Sequence, residues 1–190
     1  QEAIDCYKDL SDRFPKHSEP LYNLAELYLR LDSGRQCIDV LEKIEDVDGV
    51  SPQITLQKFY ILQGLGRSDD AFAEYDKLID RYPYELSYRI QKGDLQMKNG
   101  QIDKAKQTYD EAAKIDPDDA YVWVALSNYF SIVGDQEEAD MLVQNALVNN
   151  NLDIQTKIDI LTEYLKSTLR KVAKGKDADS LDISLPGVDS

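Results

Sequence analysis

Few residues in the chain are arranged for catalysis. The 190 residues include one histidine, His17, and two cysteines, Cys6 and Cys37. A catalytic set built on histidine would have to use His17, which lies in a predicted turn without a serine or cysteine motif beside it. The sequence also lacks HExxH, phosphate-loop, GxSxG and cysteine–histidine metal motifs. We therefore predict no catalytic residue and no enzyme, with His17 on the solvated surface.

Three short segments are candidates for ligand binding. Residues 46–49 (DVDG) resemble the start of a calcium loop, but Thr55 stands where that loop needs a bidentate glutamate. Residues 116–119 (DPDD) could hold a divalent ion, although aspartates before a helix also cap it. Residues 64–66 (GLG) lack the third glycine of a dinucleotide loop. We interpret these segments as turns and caps, and predict neither a metal nor a cofactor.

Secondary structure is predicted most clearly for residues 120–151, whose pattern indicates two helices. The first carries apolar residues three and four positions apart, on one face: Trp123, Leu126, Phe130 and Val133. Gly134 ends it, and Asp135 with Glu138 forms a capping box for the second helix. The second helix has its own apolar stripe: Ala139, Leu142, Val143, Ala146 and Leu147. The pair predicts a helical hairpin whose sides need apolar neighbours.

Similar hairpins are found along the chain when the sequence is compared with itself at a shift of about 34 residues. A small residue recurs at one position of the second helices: Ala3, Cys37, Ala71, Ala105 and Ala139. Turn glycines recur at Gly66, Gly100 and Gly134, with Asp32 in their place in the first complete hairpin. A breaker recurs between hairpins: Pro15, Gly49, Pro83, Pro117 and Asn151. Because Cys37 shares the small position, we favour a packed core thiol over disulfide or redox chemistry.

This pattern resembles the tetratricopeptide repeat family. Large residues match its first helix (Trp123, Leu126 and Phe130), small ones match its second helix (Ala139 and Ala146), and Pro117 matches its terminal proline. The resemblance implies an all-α fold, a right-handed α-solenoid of stacked helix-turn-helix repeats. The hairpin that begins at Leu86 departs from the family, because Arg89 and Gln96 stand where large apolar residues are usual. We expect looser packing there.

The register predicts a repeat array over residues 1–173. We expect a half repeat at 1–17, four repeats at 18–51, 52–85, 86–119 and 120–153, and a final helix at 154–173. Residues 174–190 lose the helical period and gain Gly, Asp, Ser and Pro, which predicts a linker or flexible tail. Leu181, Ile183 and Leu185 alternate, so a strand-like peptide that docks on a groove is the alternative for this segment.

The charge of the chain limits its partners. The 22 basic and 36 acidic residues give a formal net charge of −14. This balance argues against binding a nucleic-acid backbone or an anionic membrane, because both need clustered Lys and Arg. No apolar run approaches the roughly 20 residues that a bilayer span requires. The acidity serves solubility or indicates a basic protein partner.

The resemblance also implies a binding site, because first helices of tetratricopeptide arrays line a concave groove that grips peptides or helices of partner proteins. By register the groove residues are Tyr22, Glu26, Arg30, Gln53, Tyr60, Gln63, Ile90, Asp94, Met97, Tyr121 and Asn128. Glu26 and Asp94 argue against the family's chaperone clamp, which uses Lys, Asn and Arg. We therefore predict a protein–protein interaction scaffold. The alternatives are a structural or oligomerising spacer in a longer array and, third, an enzyme domain.

The first segment of the chain reads as a second helix without its first helix. We therefore expect a fragment of a longer, bacterial tetratricopeptide protein whose targeting segment would lie upstream, so that cytoplasm and cell envelope or periplasm are both compatible. In such a fragment Ile4, Tyr7 and Leu10 would lack part of their cover. We expect weak self-association through this helix, with its twin or with the tail of a neighbouring chain.

Overall fold

The structure is a computed structural model, and it describes residues 2–175 apart from the side chains at 164, 167, 168 and 170–175. The described residues form ten α-helices and no strand, which confirms the predicted all-α class. The helices are α1 (Glu2–Arg13), α2 (Glu19–Arg30), α3 (Gly34–Asp48), α4 (Pro52–Gly64), α5 (Ser68–Arg81), α6 (Leu86–Lys98), α7 (Ile102–Ile115), α8 (Ala120–Val133), α9 (Gln136–Val148) and α10 (Ile154–Gly175). The rest of the predicted tail, with its alternating residues 181, 183 and 185, lies outside the described residues.

The chain divides into two compact units, Gln1–Pro117 and Asp118–Ser190. In the first unit α2 packs on α3, α4 on α5 and α6 on α7, while α1 packs on α2. In the second unit α8 packs on α9, and Ile160 of α10 packs on a small core around Ala120, Ala146 and Leu152. Helices adjacent in sequence therefore pair as hairpins within each unit.

The turns inside the hairpins adopt a left-handed backbone, which favours glycine. Gly66, Gly100 and Gly134 have φ values of 73°, 72° and 93°. Asp32 occupies the corresponding turn of the α2/α3 hairpin with a φ of 53°, and among the described residues it is the one non-glycine with positive φ. Aspartate tolerates this region better than most residues. Asp32 therefore adopts the same left-handed turn conformation that glycine adopts in the other hairpins.

The small position of the second helices lies at the helix–helix contact. Cys37, Ala71, Ala105 and Ala139 are at most 1% exposed. Burying a larger side chain there would force the two helices apart, so the position selects small residues. Ala3 of α1, which has the same register, is exposed.

The hairpin formed by α6 and α7 is closely packed, so the expectation of looser packing is wrong. Gly93 lets the ring of Tyr109 approach so closely that a Cβ atom on Gly93 would lie 2.2 Å from Tyr109 Cε1. Gln96 is 4% exposed, and its Oε1 accepts a hydrogen bond from Thr108 Oγ1 at 2.8 Å. Arg89 Nη1 donates to the Pro83 carbonyl at 2.6 Å. The amide oxygen of Gln96 is therefore satisfied by a hydrogen bond, and Gly93 gives the Tyr109 ring its space, whereas Arg89 Nε is buried without a hydrogen-bond partner among the described residues.

The first helix is better covered than the sequence suggests. Ile4 is 7% exposed and belongs to the core that α2 and α3 form. Tyr7 packs against the same core and is half-buried, and Leu10 is half-buried as well. The prediction that Ile4 is left partly unshielded is wrong, because α2 covers it.

Candidate partner-binding surface

The first helices of the first unit expose a mixed apolar and polar face. On α2 the predicted groove residues Tyr22, Glu26 and Arg30 recur every four positions and are all exposed. Glu26 and Arg30 form an ion pair with 2.5 Å between Oε1 and Nη2, and both side chains remain more than half exposed. Such a pair is a local helix contact of small energy, and a ligand can exchange it for its own charges.

Tyr22 is held at one edge of this face. Partial burial, together with the charge of Asp48 and a hydrogen bond to its carboxylate, raises the pKa of Tyr22. Asp48 is the last residue of α3, so this contact links the face of α2 to the second helix of its own hairpin. Tyr22 stays 40% exposed.

A pocket of about 360 Å³ opens between the first and second hairpins. Tyr60 stands at its side with 58% of its surface exposed and its ring edge-on to Phe59, the centroids 5.5 Å apart. Leu29 and Leu65 are 43% and 39% exposed. The lining is completed by Asp32, Ser33, Gly34, Ile61 and Gly64. The site therefore combines an aromatic ring, leucines and one carboxylate.

Sequence reasoning missed three leucines of this face: Leu29, Leu56 and Leu65. Leu56 is 40% exposed and lies one turn before Tyr60 on α4. A signal for it was present, because one repeat step from Tyr22 lands on Leu56. Leu29 and Leu65 are adjacent to the turns, where helical periodicity gives no guide to exposure.

The predicted residues between this pocket and the third hairpin are less available. Gln53 is exposed, whereas Gln63, Ile90 and Met97 are half-buried. Gln63 Nε2 donates to Ser68 Oγ at 3.3 Å. The amide of Gln63 therefore has an internal partner within the α4/α5 hairpin.

Asp94 is engaged inside the third hairpin. Its Oδ1 accepts a hydrogen bond from the Tyr109 hydroxyl at 2.7 Å. Burial raises the pKa of Asp94 in spite of this hydrogen bond and the charge of Lys98, which act to lower it. Burial and the same carboxylate raise the pKa of Tyr109. Asp94 therefore positions the Tyr109 ring, a role that the groove assignment did not include.

Two predicted groove residues lie in the second unit. Asn128 is exposed on α8. Tyr121 is 40% exposed, and its hydroxyl donates to Asp153 Oδ2 at 2.9 Å. Asp153 caps α10, and hydrogen bonds from the hydroxyl and backbone amide of Thr156, and then from Tyr121, lower the pKa of Asp153 to about 2. Tyr121 therefore ties α8 to the start of α10.

Of the segments considered for ligand binding, residues 116–119 precede α8 and cap it, whereas residues 46–48 belong to the end of α3 and not to a separate turn, and Gly64 is the last residue of α4. Ser51 Oγ accepts from the Ile54 amide at 3.4 Å, and Asp119 Oδ1 accepts from the Val122 amide at 2.9 Å. Asp135 Oδ1 accepts from the Glu138 amide at 3.3 Å, as the capping box requires. No group of three or more potential metal ligands occurs among the residues that the structure describes. His17 is exposed.

Within residues 2–175 no helix combines sufficient length with sufficient apolar character to span a membrane.

A buried ionic cluster joins the first two hairpins. Lys58 of α4 is completely buried, and its Nζ lies 2.9 Å from Glu45 Oε2 and 2.6 Å from Glu74 Oε2. Glu74 also pairs with the half-exposed Lys77 through Oε1 at 2.9 Å. In the described part of the chain, Glu45 Oε1 and Thr55 Oγ1 are buried without a hydrogen-bond partner. We name Lys58, Glu45 and Glu74 the Lys58 cluster.

The two cysteines differ in exposure, which predicts a difference in reactivity. Burial raises the pKa of Cys37 to about 11, whereas Cys6 is exposed. Because the thiolate is the reactive form, we expect a thiol reagent at pH 8 to label Cys6 in the native protein and Cys37 only after unfolding. Mass spectrometry of the labelled peptides checks this, with Cys6→Ser as the control. Native labelling of Cys37 at the Cys6 rate would contradict it.

The repeated hairpins correspond to a known family. A family model described as tetratricopeptide repeat matches residues 62–129. Residues 62–129 are therefore similar to tetratricopeptide repeats. The first complete hairpin and most of α4 precede the matched span. Their repeat character rests on the same register and on the buried small residue Cys37.

Solved tetratricopeptide structures share the fold. MamA from Desulfovibrio magneticus RS-1 is 16% identical with a TM-score of 0.51, over 77% of this chain and 82% of that chain. YrrB, described as a tetratricopeptide protein with an unusual peptide-binding site, is 15% identical with a TM-score of 0.54, over 86% and 81%. TTC0263 from Thermus thermophilus is 17% identical with a TM-score of 0.53, over 85% and 89%. At these identities the likeness concerns the fold.

No curated protein sequence matches the chain. The tetratricopeptide repeats support a general role as a protein-interaction scaffold. Tetratricopeptide repeat proteins typically act as non-enzymatic scaffolds.

Proposed function

We propose that the chain binds a segment of a partner protein on the exposed face of its first two complete hairpins. We name this face the α2/α4 surface: Tyr22, Leu29, Leu56, Tyr60 and Leu65. The observation that carries the proposal is the open pocket in which Tyr60 and two leucines remain 39–58% exposed. Exposed apolar groups that converge on a pocket with a polar rim are typical of recognition sites, because a partner can bury them.

The chemistry of the rim favours a basic partner. Asp32 is the charged residue of the pocket lining, and the whole chain carries a formal charge of −14. A segment that places an apolar side chain between Leu29 and Tyr60 and a Lys or Arg near Asp32 would satisfy both features. YrrB is described as having an unusual peptide-binding site, and we extend peptide recognition to this chain on the strength of the pocket. Gln53, Ile90 and Met97 would widen the same contact.

The proposal predicts a specific loss on substitution of Tyr60. We expect Tyr60→Ala to weaken binding by about tenfold or more, because an aromatic anchor at the centre of a contact carries a large share of its energy. Stability should hardly change, because 58% of the ring is exposed. The measurement is titration of peptides selected by display on the wild-type protein, together with thermal melts of each variant.

Tyr84→Ala is the matched control for this test, because Tyr84 is 85% exposed and lies between α5 and α6. It should bind the selected peptides as the wild-type protein does. A lower melting temperature of Tyr60→Ala with unchanged peptide binding would instead make Tyr60 a core residue and refute the assignment.

Tyr121 and Asn128 would form a further contact in the second unit. Tyr121→Ala removes both the ring and the hydrogen bond to the cap Asp153. Tyr121→Phe removes the hydrogen bond alone, so the difference between the two variants isolates the contribution of the ring to binding. We propose that Tyr121→Ala binds the partner segment more weakly than Tyr121→Phe does.

A second candidate function is self-association, which we propose to occur weakly through α1. The supporting observation is that Ala3 is exposed and Tyr7 and Leu10 are only half-buried, although their register matches buried core positions elsewhere. Catalysis has no comparable support, and we propose that the chain is not an enzyme. An interaction scaffold that also oligomerises would combine both functions.

A further inference from the structure

The pocket beside Tyr60 lies where α4 departs from the neighbouring first helices. In α2 the position of Tyr60 is held by Glu26, and Arg30 one turn later pairs with it. One turn after Tyr60, α4 has Gly64, which is exposed and lines the pocket. Apart from its chain neighbours, a Cβ atom on Gly64 would meet no atom of the described residues within 4 Å. The long side chain of α2 therefore has no counterpart on α4, and the space beside this turn of the helix is open.

The next junction, between the α4/α5 and α6/α7 hairpins, has longer or polar side chains at the equivalent positions. One repeat step replaces Leu29 and Gly34 of the pocket by Gln63 and Ser68. Gln63 Nε2 donates to Ser68 Oγ at 3.3 Å and so links the two positions. Lys98 has the register of the pocket glycine on α4. A leucine and a glycine cannot form such a hydrogen bond, so the first junction leaves these positions available to a partner.

The turn before α3 adds a negative charge to the pocket. Asp32 lines the pocket and is exposed, whereas Gly66 and Gly100 occupy the corresponding turns of the first unit. The whole chain carries a formal charge of −14. An exposed carboxylate beside apolar walls favours a ligand that combines an apolar group with a cation.

A glycine already receives an aromatic ring elsewhere in this protein. A Cβ atom on Gly93 of α6 would lie 2.2 Å from Tyr109 Cε1, and Tyr109 is 1% exposed. A helix without a side chain at one position thus lets a flat ring lie directly against its backbone. Gly64 offers the same kind of surface, but on the outside of the molecule.

We propose that the pocket at Gly64 takes an aromatic side chain from a partner segment that carries a Lys or Arg beside this aromatic residue. The ring would lie over Gly64 and against Tyr60, and the cation would face Asp32. The proposal rests on the partner-binding function proposed above. It makes Gly64 the residue that determines which anchor the pocket accepts.

The size and lining of the pocket favour a ring over a smaller or purely charged anchor. Its volume of about 360 Å³ falls in the range of roughly 300–1,000 Å³ that is typical of ligand sites. Tyr60 is 58% exposed, and aromatic pairs gain energy beyond their buried area. A cationic side chain alone would leave Leu29 and Leu65 in contact with water.

Gly64→Gln tests the role of the missing side chain. Glutamine is uncharged and favoured in helices, so the variant fills the space without changing the charge and should melt at or above the wild-type temperature. The probe is a displayed library of random peptides. We expect the wild-type protein to select an aromatic residue beside Lys or Arg, and Gly64→Gln to lose the selection for the aromatic residue.

A double-mutant cycle then measures the contact between ring and glycine. The peptide selected on the wild-type protein is titrated beside copies whose aromatic residue is replaced by Leu or Ala. On the wild-type protein we expect binding to weaken about three- to tenfold with Leu and at least about tenfold with Ala. Gly64→Gln should bind the aromatic peptide at least about tenfold more weakly, and the replacements should then have little further effect.

Ala73→Gln is the matched control, because it adds the same side chain at an exposed position of α5 in the same hairpin. It should bind all three peptides as the wild-type protein does.

The opposite results separate this inference from the proposed function. Unchanged binding of the aromatic peptide to Gly64→Gln, together with weakened binding to Tyr60→Ala, would refute the anchor at Gly64 and leave the α2/α4 surface standing. Wild-type selection of Lys or Arg without an aromatic residue would refute the aromatic anchor in the same way. Binding to Tyr60→Ala at the wild-type strength would overturn both the proposed surface and the anchor.

Discussion

Replacing Gly93 with alanine is expected to destabilise the first unit by about 3 kcal/mol. The added Cβ atom would lie 2.2 Å from Tyr109 Cε1 and 2.7 Å from Cδ1 and Cζ. The ring cannot move aside easily, because Tyr109 is 1% exposed and its hydroxyl is bound to Asp94. This clash outweighs the gain of about 1 kcal/mol that alanine normally brings to a helix. Thermal or urea unfolding measures the loss.

Two companion variants separate the clash from a general effect of glycine replacement. Gly64→Ala also lies in a helix but has no neighbouring atom within 4 Å, so it should leave stability unchanged or raise it. Combining Gly93→Ala with Tyr109→Leu should cost less than the sum of the two single losses, because the smaller side chain makes room. Strict additivity would mean that the ring and the new methyl group do not meet.

Replacing Lys58 with methionine should cost about 3–5 kcal/mol, because it leaves two buried carboxylates without their common cation. The side chains of Glu45 and Glu74 are only 10% and 8% exposed. Glu74 keeps Lys77 as a partner, whereas Glu45 loses the ion pair that the described structure gives it. Urea unfolding of the variant measures the effect.

Two reference variants test whether burial of the ion pair causes the loss of stability. Lys104→Met breaks an ion pair with Asp69 whose side chains are 58% and 94% exposed, and it should leave the unfolding midpoint nearly unchanged. Replacing the whole Lys58 cluster by Met and two Leu residues should restore most of the stability, because no charge is then left buried. If Lys58→Met unfolds like Lys104→Met, the cluster is not a structural ion network.

Much of the fold could be predicted because its signals are local and repeated. Gly66, Gly100 and Gly134 mark the turns, and the register correctly gave Asp32 their position. The small position represented by Cys37 was found in the same way, because close helix packing admits few residue types there. The boundaries of the individual repeats stay a prediction.

The candidate site was harder to predict, because exposure depends on neighbours that are distant in sequence. The repeat register predicted Tyr60 as a groove residue but did not include Leu56, which lies four residues earlier on the same helix. It also gave Asp94 a binding role, whereas the hydroxyl of Tyr109 engages that carboxylate. For the same reason the sequence did not indicate that Lys58 is buried, because the two carboxylates that pair with it come from two other helices.

The Lys58 cluster also restricts how this array could be rearranged. A hairpin that carries Lys58 is accommodated only beside a hairpin that offers Glu45, and its own second helix must supply Glu74. Duplicating, deleting or exchanging one of these two hairpins would separate the charges at the new junction. We therefore expect that the first two complete hairpins can be moved to another array only together, as one unit of two hairpins.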